Sequence, residues 1–231
     1  VVRRKTFTRV VGLVAMLVAI MCVSAFAADI VTVPTANQLK QGQVDLAYYY
    51  LGLDMPEAGP QHVNAQTIYV GLSDRLEVDL HRYDIDKLGD GTILNATWCV
   101  MRETAVTPDL VIGGRNITGE DVGGIPDSDK ESWFIAAAKT LNLPVAGPPK
   151  LPIVRVHAGL GTRDHTLLNE DRHEGLFGGL QVLLAPQVGV VALHDGQDLI
   201  TGVTFTPTNT GVTLKGGTFG DHWWVGISFA K

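Results

Sequence analysis

The chain has 231 residues, 45% hydrophobic and 18% charged, with a formal net charge of −6. Its acidity argues against nucleic acid and against docking to an anionic surface through a basic patch. Of its two cysteines, Cys22 and Cys99, the first falls in a leader, so no intramolecular disulfide holds the fold and an extensive sheet or core must do so.

Residues 1–27 have the three parts of a secretory signal peptide. Arg3, Arg4, Lys5 and Arg9 form a basic start, an uncharged apolar stretch covers 10–23, and Ser24-Ala25-Phe26-Ala27 supplies a small-x-small cleavage site. The apolar stretch is shorter than the ~20 residues a membrane helix needs, so cleavage after Ala27 is expected. Four of the 18 basic residues and none of the 24 acids leave with it, which gives the 28–231 domain a net charge of −10. No later stretch is apolar enough for a spanning helix. A closed barrel is then the way such a chain crosses a membrane, because in lipid every backbone polar group must be paired within the protein.

Segment 29–42 contains Pro34 followed by Thr35-Ala36-Asn37, which denies it a long strand. A first strand is expected at 43–51, with Val44, Leu46, Tyr48 and Tyr50 alternating with Asp45, Ala47 and Tyr49. A loop at 55–60 precedes the clearest hairpin of the chain. There Ile68, Val70 and Leu72 alternate with polar or small residues, Ser73-Asp74 breaks the run, and Leu76, Val78 and Leu80 alternate with Glu77, Asp79 and His81. A turn-rich acidic loop is expected at 84–91. Further strands are expected at 92–102, 110–116 and 131–141, although Ala136-Ala137-Ala138-Lys139 is also compatible with helix. Segment 117–130 reads as a long loop, and 142–152, with its four prolines, as an irregular connection. After a strand at 153–161 and a highly charged loop at 162–174, the alternation continues through 175–184, 188–194, 199–206, 210–217 and 222–230.

About twelve strands result, or ten on a sparser count, each of about 8 to 10 residues. The expected fold is all-β: an antiparallel up-and-down transmembrane β-barrel forming one domain over 28–231. Short breaks at 73–74, 104–108, 185–187 and 207–209 alternate with long ones at 55–60, 84–91, 117–130 and 162–174, as outer-membrane barrels require. The connection at 142–152 is long on the side that should be short.

Trp223-Trp-Val-Gly-Ile-Ser-Phe229 is similar to the amphipathic, aromatic last strand that the assembly machinery of outer-membrane barrels reads, and it departs from that pattern by continuing to Ala230-Lys231. Thr32-Val-Pro-Thr-Ala-Asn37, followed by Leu39 and Gly42, resembles the start of YjbH-type barrels and related bacterial outer-membrane proteins. The likeness covers about a dozen residues. It implies envelope biology or exopolysaccharide export and brings no catalytic residues. The expected location is the outer membrane, and the expected partners are its lipid and the barrel assembly machinery, with a small solute as a further candidate.

Strict alternation places Asp45, Glu77, Asp79, His81, Asn95, Arg115, Arg155, His157, Gln181, Thr204 and Lys215 opposite the aliphatic row. These are the lumen-facing candidates. Their charges either select a solute or plug a narrow bore, with Glu77 and Asp79 pairing to Arg155 and Lys215. No catalytic residue is expected. Asp79 and His81 share a strand face and His157 and His194 are other bases, but serine is scarce and no Gly-x-Ser-x-Gly elbow occurs. No metal or cofactor is expected either. Asp84, Asp86 and Asp90 miss the spacing of a calcium loop, and Asp164, His165, Glu170, Asp171, His173 and Glu174 follow no recognised ligand spacing. Two rivals preserve the pattern: a soluble periplasmic β-barrel with its aliphatic face turned inward around a ligand, and an outer-membrane enzyme acting on lipid or polysaccharide.

Overall fold

A computed structural model describes residues 29–30, 33–55, 59–123, 128–141, 152–162 and 174–231. The leader with its cleavage site, and most of the connections at 142–152 and 162–174, lie outside the described residues. A minimal hairpin comes first, β1 (Asp29–Ile30) against β2 (Val33–Pro34). The barrel then runs through β3 (Val44–Met55), β4 (Gly59–Gly71), β5 (Leu76–Ile85), β6 (Gly89–Met101), β7 (Asp109–Arg115) and β8 (Ser132–Leu141). It continues through β9 (Ile153–Gly161), β10 (Gly175–Ala185), β11 (Val188–His194), β12 (Leu199–Phe205), β13 (Val212–Phe219) and β14 (His222–Ala230).

Among the described residues, these twelve strands β3 to β14 form one closed sheet in which every strand pairs antiparallel with its sequence neighbours. Closure is made by β14 against β3, from Trp223↔Gly52 to Ala230↔Asp45. The seam ends in a reciprocal backbone pair, Val44 N–H to Lys231 O at 3.0 Å and Lys231 N–H to Val44 O at 2.9 Å. The closed barrel leaves no edge of its own to template aggregation or to strand an unpaired donor in lipid.

The closed sheet puts one row of side chains outside and the other inside. Leu46, Ile68, Leu80, Ile135, Leu180, Val203, Leu214 and Ile227 are exposed on the outer wall. The outer aromatics fall in two bands. Trp133 and Trp223 sit near the strand ends distal to the termini, and Trp98, Phe205 and Phe229 near the ends that share the side of the termini. Inside, aromatic rings lie against neighbouring glycines: a Cβ on Gly159 would stand 2.3 Å from the Phe177 ring, and one on Gly226 would stand 2.5 Å from Tyr49. Such bare backbone lets a large ring fold down along the wall and fill a narrow interior.

Several sequence expectations need correction. The loops expected at 55–60 and 84–91 are narrowed by strand from both ends: β3 and β4 pair out to Met55↔Gly59, with 56–58 outside the described residues, and β5 and β6 pair out to Ile85↔Gly89. Asp84 and Asp90 simply continue the outward polar row while Ile85 and Ile93 are buried inside, and Lys87 takes the left-handed conformation in the turn. Three strands therefore reach 12 or 13 residues, longer than expected. The alanine run is strand, not helix. Ala136 and Ala138 face inward opposite Gly159 and His157, where only small side chains fit.

Tight turns follow from local chemistry. Ser73 Oγ accepts the N–H groups of Arg75 and Leu76 at 3.1 and 3.0 Å, and Asp195 Oδ1 accepts those of Gln197 and Asp198 at 3.0 and 2.7 Å.

Candidate functional site

Alternation within the strands carries the polar candidates to the inner face. Asp45, Glu77, Asp79, His81, Asn95, Arg115, His157, Gln181, Thr204 and Lys215 are all buried, and Arg155 is half-buried near the end that holds the termini. A pore open to water along these strands would leave its lining wet. Here Glu77 is 1% exposed and Gln181 0%.

The interior is filled partly by its own side chains and partly by the segment 33–42, which enters at the terminal end and runs up inside the barrel. This N-terminal arm leaves the wall where Gly42 N–H bonds Gly71 O at 2.8 Å. Leu39 N–H donates to Glu77 Oε2 at 2.6 Å on one side of the lumen. Asn37 reaches the other side, its Nδ2 donating to Gln181 Oε1 at 3.2 Å while its Oδ1 accepts from Arg155 Nε at 2.8 Å. Thr35 and Ala36 are buried, and Val33 is fully so within the apolar cluster that also holds Ile85, Ile93 and Val122. A cavity of about 20 Å³ remains beside the arm, lined by Thr35, Asn37, Glu77, Asp79, Asn95 and Arg115. That is room for about one water.

Arg155 is the hub of the terminal end. Its two terminal nitrogens meet Glu103 Oε2 at 2.5 Å and Asp109 Oδ2 at 2.6 Å, and Nη1 also donates to Thr140 Oγ1 at 2.9 Å. Glu103, in the turn between β6 and β7, further accepts Thr140 N–H at 2.8 Å and pairs with Lys139 at 3.2 Å. Burial alone pushes the Glu103 carboxyl up; the Thr140 N–H, Arg155 and Lys139 outweigh it and hold the group below its ordinary range.

Deeper inside, Asp79 Oδ1 accepts from Asn95 Nδ2 at 2.6 Å and stands 2.6 Å from His81 Nε2. The latter contact lacks the direction of a ring N–H hydrogen bond. His81 Nδ1 meets the Tyr83 hydroxyl at 3.1 Å, so the third member of this row is a phenol and not a serine nucleophile. His157 Nε2 lies 2.9 Å from Gln181 Oε1. Over Gly226 of β14, which separates their strands, Lys215 Nζ donates to Tyr49 Oη at 3.1 Å and lies 5.4 Å from the centre of its ring.

The pairings expected for a plugged bore are therefore replaced by others. Arg155 engages Glu103 and Asp109, Asp79 engages His81 and Asn95, and Lys215 engages Tyr49. Sequence reasoning missed Asn37, Glu103 and Asp109. The last opens β7 in phase with its inward row, a signal that was available in the alternation; the other two lie outside the strands and carry none.

Among the described residues no group of three or more His, Cys, Asp or Glu is placed to hold a metal ion. Asp84 and Asp90 sit on the outer face, with Asp90 3.1 Å from Arg82, and the remaining ligand types of the 162–174 loop fall outside the described residues apart from Glu174.

At the distal end the loop after β7 turns inward. Asn116 N–H bonds Asn95 Oδ1 at 2.9 Å, Asn116 Nδ2 donates to Glu120 O and Ser128 O, and Ser128 Oγ accepts Val122 N–H at 2.9 Å. Its backbone approaches β6 at Gly89 and Gly91.

An antiparallel up-and-down barrel with an aliphatic outer belt between two aromatic bands and a filled interior of polar and apolar side chains has the architecture of the porin-like outer-membrane barrels. No protein-family model matches the sequence, and no curated protein matches it. Solved structures do. The KdgM porin aligns at 10% identity with a TM-score of 0.50, covering 80% of this chain and 98% of that one. The same porin in complex with disordered oligogalacturonate aligns at 9% identity and a TM-score of 0.48, covering 81% and 98%. An outer membrane channel from Pseudomonas putida F1 aligns at 12% identity and 0.43, covering 85% and 97%. At these identities the likeness is one of fold.

Proposed function

We propose that this protein is an outer-membrane β-barrel, structural or weakly pore-forming, whose lumen is closed in the state seen here. The single observation that carries this is the division of its two faces. The outer wall carries an aliphatic belt suited to lipid, with Gln66, Arg82, Asp84 and Asp90 outward on β4 to β6 toward the distal end, while the buried inner face holds the charged and polar residues beside an apolar cluster. A soluble ligand-binding barrel would bury its aliphatic row inside. The end holding both termini then faces the periplasm, the distal end faces outward, and the last strand is what the assembly machinery reads.

No catalysis is assigned. The His81 row lacks a nucleophile, and the cavity beside Asp79 holds no more than about one water.

The interior charges also bear on cargo. Asp45, Glu77, Asp79 and Asp109 stand against Arg115, Arg155 and Lys215, a near balance. Selecting a chain of carboxylates such as oligogalacturonate calls for a clear basic excess, so the ligand of the similar porin is not carried over. A role in envelope biology or exopolysaccharide export is supported by the likeness of the arm to YjbH-type proteins, and loss of secreted polysaccharide on gene deletion is its test.

For the barrel itself the test is gel mobility of detergent-extracted membranes, boiled beside unboiled. A membrane-fraction band that migrates faster unboiled is expected. A soluble band with no heat shift would sink the proposal.

A further inference from the structure

We infer that the N-terminal arm is a removable plug, and that its withdrawal toward the periplasm opens a path for small polar solutes. This rests on the outer-membrane reading above. The barrel wall closes completely without the arm, since β14 pairs directly with β3 and, beyond the Gly42 N–H to Gly71 O bond where the arm departs, no wall strand takes its ladder partners from residues 33–41. The arm is thus a guest of the lumen, attached to the wall at its own C-terminal end near Gly42.

Its seat is polar around Asn37 and Leu39 and apolar around Val33 and Ala36. Side-chain links from Asn37 to Gln181 and Arg155, and one backbone link from Leu39 to Glu77, tie it to opposite walls. Under it the seat is incompletely satisfied: among the described residues His157 Nδ1 and Gln181 Nε2 are buried with no hydrogen-bond partner. Buried groups left open in this way are uncommon in permanent packing. The hydrogen bonds that hold the arm are the kind that water or a polar solute replaces at small net cost.

The space it occupies is the width of one extended chain, roughly 5 Å by 10 Å on strand and sheet spacings. That passes ions and small polar molecules and stops folded or branched polymers. The walls left behind carry Glu77, Asp79, Asn95, Arg115, Arg155, His157 and Gln181, close to neutral in sum, so selectivity between cations and anions is weak.

The experiment is single-channel recording in planar bilayers with the mature chain, a variant lacking residues 33–39, and an Asn37→Ala variant. Each is first checked for the heat shift on a gel. The mature chain should be largely silent, the deletion should give sustained conductance steps with a reversal potential near zero in a salt gradient, and Asn37→Ala should flicker. A synthetic peptide of residues 33–42 should block the deletion variant from one side of the bilayer only. A heat-shifting deletion variant that stays silent, or a peptide that blocks from neither side, overturns the inference. If the deletion fails to fold, a silent Asn37→Ala variant overturns it equally. Absence of the heat shift in the mature chain itself would instead sink the barrel assignment.

Discussion

Arg155 and Asn37, 118 positions apart in sequence, meet inside the barrel through a 2.8 Å hydrogen bond from Nε to Oδ1. The contact joins two systems that strand pairing alone leaves separate. One is the N-terminal arm; the other is the carboxylate cluster of Glu103 and Asp109 that fastens the β6–β7 turn to the wall. The same guanidinium thus fixes the arm and the terminal end together, and its planar fork is suited to three directions at once.

Replacing Arg155 with Ala should cost about 3 kcal/mol, because Asp109 then stays in a poorly solvated pocket without its cation and Glu103 keeps only Lys139. Arg155→Lys should recover only part of the loss, since one ammonium cannot reach both carboxylates and Asn37. The fraction of heat-shifting band against urea concentration measures this. Equal midpoints for Arg155→Ala and the parent chain would contradict the hub.

Acid should loosen the terminal end through Glu103. Its folded carboxyl is held below the unfolded value, so the stability it contributes is fully present above the unfolded value, near pH 4.5, and is lost as pH falls through the folded one. The groups facing it are Thr140 N–H, Lys139 and Arg155. The temperature at which the compact band disappears should therefore drop from pH 6 to pH 3. In Glu103→Gln the drop should be smaller and the starting value at pH 6 lower. An identical pH profile in both proteins would remove Glu103 from the account.

Much of the barrel was legible because a strand in a two-faced sheet has a period of two, and a one-residue slip would invert every face. Asp45, Glu77, Asp79, His81, Arg115, His157 and Lys215 could be put on one face with no knowledge of their partners. What pairs with what was not legible. Asn37 finds Gln181 144 residues away because the sheet closes, and closure is a property of the whole chain. Hairpin tips misled for a different reason: the Asp and Gly residues at 84–91 are turn formers in isolation, yet two of the aspartates also suit the solvated outer row of strands that extend past the belt.

Gly159 should be intolerant of branched side chains. A Cβ there would stand 2.3 Å from the Phe177 ring and 2.8 Å from Ile135 O. Gly159→Val is expected to destabilise the barrel by ~2 kcal/mol through overpacking, and Phe177→Ala in the same chain should restore part of the loss by vacating the ring's place. Urea midpoints of the two single variants and the double variant form the cycle. Simple additivity would show that the ring and the glycine are not packed as described.

The outer wall gives the sharpest contrast between a membrane and a soluble barrel. Leu180 lies midway along β10 and Leu176 near its distal end, both on the outer face, with exposures of 43% and 70%. In lipid the cost of an arginine depends on depth: about 2–4 kcal/mol at the midplane and ~0–1 kcal/mol near the interface, where the side chain can reach water. Leu180→Arg should therefore sharply reduce the heat-shifting membrane fraction while Leu176→Arg leaves it near normal. In a soluble barrel both positions face water, and both substitutions would be tolerated alike. Equal tolerance would thus count against the lipid-facing assignment of the aliphatic row, whereas a graded loss from rim to centre would locate the belt and fix which strand positions cross the hydrocarbon.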